Sequence, residues 1–155
     1  KFSCKMRKIL FLIIVVFLNN CAGYEPILYG KNINFYIDNI SNLSEDKVSD
    51  KIIKKLSPYR VKGENSIKID LDINSKINDK ITSKDSKGDA LTFEKNIQVI
   101  ISSTKGDKTN EFRYNESFSF NNQSNKFELN QYKKNIEEVL INKIFEQLII
   151  DLRQI

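Results

Sequence analysis

The residues best suited to chemistry in this sequence are its paired carboxylates. Asp70 and Asp72 alternate along one segment, so on a strand both would lie on one face and could flank a substrate or a cation. Glu137 and Glu138 form a second pair. The chain has no histidine, which excludes a histidine general base, a histidine-based triad and histidine zinc ligands. Because no glycine-rich loop accompanies either pair, we expect no enzymatic activity, metal or cofactor.

Cys21 is a candidate for a different chemistry, the attachment of lipid. It follows a ten-residue apolar run, ILFLIIVVFL at residues 9–18, and Arg7 and Lys8 precede that run. As a helix the run would span only ~15 Å, about half of a bilayer core. A basic flank, a short apolar run and an abrupt polar end are typical of a secretory signal, for which Met6 is one candidate start.

Two cleavage sites compete after this run. Bacterial lipoprotein signals place an apolar residue three positions before the cysteine that becomes acylated, and small residues directly before it. Leu18 fits that pattern, although Asn20 is larger than the usual residue. Ordinary cleavage after Gly23 is the alternative. Acylation of Cys21, which we favour, would anchor the protein stably, because more than one acyl chain would be attached. Either cleavage would remove Cys4, so we expect no disulfide.

The net charge of the chain is concentrated in this N-terminal segment. The whole sequence has 25 basic and 20 acidic residues, a net charge of +5. Four basic residues and no acidic ones lie within residues 1–20, which leaves 21 basic and 20 acidic residues, or +1. A nearly neutral exported chain is not expected to bind nucleic acid, and any binding of anions would have to be local.

Apolar residues at alternate positions predict four strands. The first covers residues 33–38. The second is the longest, and its six isoleucine or leucine residues all lie at odd positions: Ile67, Ile69, Leu71, Ile73, Ile77 and Ile81. Two more strands follow at residues 91–101 and 112–120, after polar turns at residues 84–90 and 105–107. Strands two to four are therefore predicted to form an antiparallel meander.

Two segments show helical spacing instead. Ser44 is predicted to cap the first helix and Pro58 to end it. Asn130–Arg153 is predicted to form one long helix with a broad apolar face. The apolar stripes comprise Val48, Ile52, Ile53 and Leu56 in the first helix, and Tyr132, Ile136, Val139, Leu140, Ile144, Leu148 and Leu152 in the second.

The order β-α-β-β-β-α predicts an α+β fold. One four-stranded, mostly antiparallel sheet with two helices packed on one face accounts for every apolar stripe. We interpret residues 1–20 as a lipoprotein signal peptide, residues 21–31 as a lipidated linker and residues 32–155 as a single α+β domain.

With these elements, the mature chain resembles the LPS-assembly lipoprotein family LptE in its alphaproteobacterial form. In that family the cysteine is followed by glycine-aromatic-x-proline and then by leucine-tyrosine-glycine. Here Cys21 is followed by Gly23-Tyr24-Glu25-Pro26 and Leu28-Tyr29-Gly30, with Ala22 and Ile27 as insertions. The long C-terminal helix and the order of strands and helices are also similar.

The resemblance implies a lipid-anchored outer-membrane protein that plugs the lumen of the barrel LptD, supports its assembly and binds lipopolysaccharide during transport. It also implies no catalysis and no cofactor. Ala22 is not the aspartate that retains many enteric lipoproteins in the inner membrane, so an outer-membrane location is expected. The alternative is a generic periplasmic, membrane-anchored lipoprotein with an unrelated envelope partner.

Binding of lipopolysaccharide would require basic side chains that contact its phosphates. The candidates lie in the two predicted hairpin turns, on the last strand and just after Pro58. A solvated surface role is the alternative for each, and Asp85, Asp89 and Asp107 would offset the local charge. The polar face of the second strand is the candidate surface toward a barrel lumen, because lumens are polar. The candidate lipopolysaccharide contacts are Lys84, Lys87, Lys105, Lys108, Arg113, Arg60 and Lys62.

Overall fold

The computed structural model describes residues 34–44 and 46–155. The predicted signal segment and Cys21 lie outside these residues. The described chain forms one four-stranded sheet in the order β1-β2-β3-β4. None of its helices is long and apolar enough to cross a membrane. The elements are β1 (Phe35–Asn42), α1 (Lys47–Leu56), a 3-10 helix (Ser57–Arg60), β2 (Ile67–Lys84), β3 (Ala90–Lys105), β4 (Lys108–Asn121) and α2 (Lys126–Leu152).

The pairing of the strands confirms the predicted α+β class and the mostly antiparallel sheet. β2 pairs with β3, and β3 with β4, in antiparallel fashion, whereas β1 pairs with β2 in parallel. The parallel pair follows from the connection, since α1 carries the chain back before β2 begins. The predicted meander and both polar turns are also confirmed. Gly88 and Gly106 supply the positive φ angles of these turns, +92° and +57°.

The core lies between one face of the sheet and the two helices. We call this the helix face; odd residues of β2 and β3 and even residues of β4 point to it. Each fully buried leucine or isoleucine contributes about 1.5–3 kcal/mol, so this layer is the main source of stability. Its buried members include Ile69, Leu71, Ile73, Ile97, Val99 and Ile101 from the sheet and Ile52, Leu56, Ile141, Ile144, Leu148 and Ile149 from the helices.

β1 continues further than the alternation of the sequence predicts. The first strand was predicted to end at residue 38, but it runs to Asn42. A shift in register between Ile37 and Ile40 inserts one extra residue of β1 opposite β2. Such a bulge changes which side chains face inward, and this is why simple alternation failed to detect the second half of β1.

The predicted cap of α1 is wrong, because Asp46 and not Ser44 caps the helix. The Asp46 carboxylate accepts hydrogen bonds from the Ser49 amide, at 2.8 Å, and from the Ser75 hydroxyl, at 2.5 Å. The Ser44 hydroxyl instead lies 2.7 Å from that of Ser49 and accepts a bond from the Ser75 amide. These contacts satisfy the hydrogen-bonding groups of the buried Ser49 and Ser75, and they fix the start of α1 against β2.

α2 is longer than predicted. It begins at Lys126, where the Asn125 side chain accepts hydrogen bonds from the amides of Phe127 and Glu128. The first turn escaped detection because Phe127 is exposed and does not continue the apolar stripe. Val139 was assigned to that stripe, but 61% of its surface is exposed, so that assignment is wrong. In the structure it lies on the solvent side of the helix.

The outer half of the long hairpin is also less buried than predicted. Ile77 and Ile81 are 37% and 49% exposed, although they share the helix face with fully buried residues of β2. The cause is tertiary. β1 pairs with β2 only as far as Ile73, and β2 and β3 extend beyond it. An alternating pattern predicts a common face but not how far another element covers that face.

Candidate functional site

The face of the sheet opposite the helices, which we call the polar face, is the largest candidate surface. No described helix packs on it. Its β1 and β2 side is charged, whereas its β3 and β4 side consists mainly of amide and hydroxyl side chains. The charged members are Asp38, Lys68, Asp70, Asp72, Lys76 and Lys80 on β1 and β2, with Glu94, Glu111 and Arg113 on β3 and β4; the neutral members on β3 and β4 include Thr92, Asn96, Gln98, Ser102, Thr104, Asn115, Ser117 and Ser119.

Neighbouring side chains on the polar face bond across the strands. The Asn96 amide donates to the Asn115 oxygen at 2.7 Å. The hydroxyls of Thr104 and Thr109 are 3.1 Å apart. Such pairs link adjacent strands and still leave donors and acceptors for other groups. The polar face can therefore pack against another hydrogen-bonding surface without burying unsatisfied groups.

Arg113 is the predicted contact that lies well within the polar face, whereas Lys84 lies on the same face at the end of β2. Arg113 lies beside Gln98, Ile100 and Asn115, which together line a shallow depression of about 240 Å³. The Arg113 side chain is 69% exposed and forms an ion pair with Glu111 at 2.5 Å. A guanidinium flanked by amides can donate several hydrogen bonds to a phosphate or a carboxylate.

The hairpin lysines lie at opposite ends of the sheet. Lys84 and Lys87 belong to the β2–β3 end, and Lys105 and Lys108 to the β3–β4 turn. β3 connects these two ends, and its 16 residues correspond to roughly 50 Å. Lys105 is also engaged, because its ammonium donates to the Ile155 carbonyl at 2.7 Å. The four lysines therefore do not form one binding site.

Arg60 and Lys62 lie near β1, away from the other candidates. The Arg60 guanidinium donates to the Asp38 carbonyl at 3.3 Å. The Lys62 ammonium lies 5.8 Å from the centre of the Tyr36 ring, a cation–π arrangement. Nearby Lys68 pairs with Asp38, and this hydrogen bond raises the pKa of Lys68. The basic residues here already have partners within the chain.

The two carboxylate pairs also make structural contacts. Asp70 accepts hydrogen bonds from the backbone and side-chain nitrogens of Asn39, at 3.1 and 3.0 Å. Glu137 and Glu138 both bind Lys51, at 2.8 and 2.6 Å. Burial opposes the charge on Lys51, but the two hydrogen bonds outweigh it and raise the pKa of Lys51. Within the described residues, no group of acidic or cysteine side chains could hold a metal ion.

Lys95 is the important residue that the sequence analysis missed. It points to the helix face and is only 5% exposed. Its ammonium lies 2.8 Å from Asp79 and 3.7 Å from Glu137, while Lys133 lies 3.7 Å from Asp79. The sequence did contain a signal for this cluster. Lys95 and Asp79 are charged residues at positions that the alternation assigns to the apolar helix face. We call Lys95, Asp79, Glu137, Lys133 and Lys51 the Lys95 ion cluster.

Tyr114 provides a testable link between the sheet and α2. Its hydroxyl donates to Asp151 at 2.8 Å. Burial, reinforced by this bond, raises the pKa of Tyr114 well above its ordinary value of 10.0. The stability that the neutral hydroxyl supplies is therefore complete below pH 10 and is lost as the pH rises further, because only the unfolded chain then releases the proton.

Tyr114→Phe is expected to lower the free energy of unfolding by about 1 kcal/mol at neutral pH. It should also make the decline in stability above pH 10 less steep. Urea unfolding at a series of pH values, together with ultraviolet titration of tyrosinate, measures both effects. An unchanged slope above pH 10 would contradict this role of Tyr114.

Comparisons with known proteins show similarity at the level of fold. No protein-family model matches the sequence, and no curated protein matches it either. A lipoprotein B structure from Nitrosomonas europaea is 14% identical, with a TM-score of 0.52, over 74% of this chain and 80% of that chain. A structure described as a lipoprotein, from Caulobacter crescentus, is 11% identical, with a TM-score of 0.50, over 76% of this chain and 88% of that chain.

Rare lipoprotein B from Shewanella oneidensis is 14% identical over 75% of this chain and 91% of that chain, with a TM-score of 0.47. The Nitrosomonas and Caulobacter structures are similar enough for a comparison of fold, and their low identities limit the conclusion to fold. The described part of the chain therefore shares the fold of known lipoprotein structures.

Proposed function

We propose that this protein is a lipid-anchored outer-membrane lipoprotein that partners and plugs an LptD-type barrel and assists lipopolysaccharide transport. The observation that carries the proposal is the polar face, a sheet surface that no described helix covers. The fold shared with lipoprotein structures supports it, as does the resemblance of the segment from Cys21 to Gly30 to the LptE family.

The chemistry of the polar face suits the inside of a barrel. Barrel lumens are polar, so a plug must exchange hydrogen bonds with their walls. The neutral half of the face offers amides and hydroxyls, which accept and donate without the desolvation cost of charges. Arg113 and the depression beside it would then be the best placed of the predicted contacts for a lipopolysaccharide phosphate.

A generic envelope lipoprotein with an unrelated partner is the second candidate. The predicted basic contacts lie far apart in the structure, and this favours the second candidate. A dedicated lipopolysaccharide site would be expected to bring several of them together. The two candidates differ in which protein copurifies with the chain and in which of its surfaces touches that protein.

The first test is purification of the tagged full-length chain from its own membranes in mild detergent, followed by mass spectrometry. We expect acylated Cys21 at the N-terminus and an LptD-type barrel among the partners. Cys21→Ala should abolish the acyl mass and membrane retention, whereas Cys4→Ala is the control and should leave both unchanged. A chain that starts at Tyr24 would refute the anchor, and a different partner would favour the second candidate.

A photo-crosslinking experiment tests the polar face itself. A photoreactive residue at Ser117, on the polar face, should crosslink to the barrel. The same residue at Val139, which is exposed on the opposite side of the molecule, is the matched control and should not. Crosslinks from Val139 and none from Ser117 would contradict the proposed orientation, even if the barrel itself copurifies.

A further inference from the structure

The outer half of β2 has no neighbouring strand on one side. β1 pairs with β2 only from Ile67 to Ile73, yet β2 continues to Lys84 and stays paired with β3 along that length. Within the described residues, no strand therefore lies beside residues 74–84 on the side of β1. We call this stretch the open edge.

The backbone of the open edge can accept another strand. The Ile73 carbonyl accepts from the Leu43 amide at 2.8 Å, and the Ser75 amide donates to the Ser44 hydroxyl at 3.1 Å. Odd residues of β2 thus direct their backbone groups away from β3. By the same alternation Ile77, Asp79 and Ile81 present theirs at the open edge. Such a row is the template for β-strand addition.

The side chains on the helix face of the open edge are apolar and incompletely covered. Ile77 and Ile81 remain exposed, whereas Ile69 and Ile73 beside β1 are buried. Asp79 lies between them, but Lys95 and Lys133 neutralise its carboxylate. An added strand with apolar side chains toward the helix face would cover both isoleucines and would meet no uncompensated charge there.

β4 forms the other lateral edge of the sheet, and its side chains on the helix face are better covered than those of the open edge. On its helix face Tyr114 binds Asp151 of α2, and Glu116 binds Lys143 of α2 at 2.6 Å. These side chains are already engaged by the helix. Phe118 is 43% exposed on the same face, but it is a single residue, so β4 does not present a row of exposed isoleucines like that of the open edge.

The polar side of the open edge is basic. Lys76, Lys80 and Lys84 follow one another at every fourth position. Only Lys80 has an acidic partner, Glu94 at 2.8 Å, among the described contacts of these three. The row therefore favours acidic side chains on an added strand. A second copy fits poorly: antiparallel pairing centred on Asp79 places Asp79 opposite itself, and pairing centred one residue earlier places Lys76 opposite Lys80.

We propose that the open edge binds an extended segment of a partner protein by β-strand addition. The segment would present apolar side chains toward Ile77 and Ile81 and acidic side chains toward the lysine row. This inference goes beyond the proposed function and does not depend on it, because it rests on the register and charges of β2 alone.

The test uses the full-length chain in mild detergent and a labelled peptide of about seven residues, the length of a typical strand, in which valine alternates with glutamate. Fluorescence anisotropy measures binding. The glutamate peptide should bind about tenfold more tightly than the same peptide with lysine for glutamate. A glutamate peptide with N-methylated backbone nitrogens should not bind, because it cannot form the ladder.

Variants of the protein locate the site. Lys76→Glu with Lys80→Glu should reverse the preference toward the lysine peptide. Lys54→Glu with Lys134→Glu, on the exposed surfaces of the helices, is the matched control and should retain it. Hydrogen exchange should show new protection at the amides of Ile77, Asp79 and Ile81. Equal binding of all three peptides, protection along β4 instead, or no saturable binding at millimolar peptide would each overturn the proposal.

Discussion

Ile69→Asp is expected to unfold the protein, whereas Ile81→Asp is expected to be tolerated. The two isoleucines lie on the same strand and the same face, but Ile69 is 1% exposed and Ile81 is 49% exposed. A carboxylate at residue 69 would be buried without a partner, at a cost of about 4 kcal/mol or more. The total stability of a domain is only about 5–15 kcal/mol. At residue 81 the carboxylate would reach water, and the cost should stay near 1 kcal/mol.

Circular dichroism and urea unfolding of the two variants measure this difference. Ile69→Asp should lose the cooperative transition or show a midpoint far below that of the wild type. Ile81→Asp should fold with nearly the same midpoint and slope. A cooperatively folded Ile69→Asp protein of normal stability would contradict the assignment of the helix face as the core.

Lys95→Met is expected to destabilise the protein by about 2–3 kcal/mol, because it leaves two acidic groups near the core without their shared ammonium. This value lies below that for a fully buried pair, since Asp79 is partly exposed and Lys133 and Lys51 still compensate. Combining Lys95→Met with Asp79→Leu should restore at least half of the loss, because the buried ammonium and its closest carboxylate are then replaced together by apolar groups.

Lys80→Met is the matched control for this prediction. Lys80 lies on the same hairpin and pairs with Glu94, but its side chain is 57% exposed. An exposed ion pair contributes below about 1 kcal/mol, so this change should shift the urea midpoint little. Equal effects of Lys95→Met and Lys80→Met would show that the Lys95 ion cluster contributes no more than a surface pair.

Much of the fold was predictable because its determinants are local. The alternation from Ile67 to Ile81 and the polar segment 84–90 predict a strand and its turn, whatever surrounds them. Helical spacing in the same way predicted α1 and most of α2. The failures occurred where local signals were weak or competing. The bulge in β1 broke the period of two, and Ser44 and Asp46 were both acceptable caps.

The sequence by itself determined the order of the elements, their faces and the α+β class, because side-chain periodicity follows from backbone geometry alone. Only the tertiary structure decided how far each face is covered, that Lys95 lies in an ion cluster beneath α2, and that the basic candidates lie apart. These features depend on the register and length of paired strands. Contacts between distant residues determine register and length, and no local pattern records them.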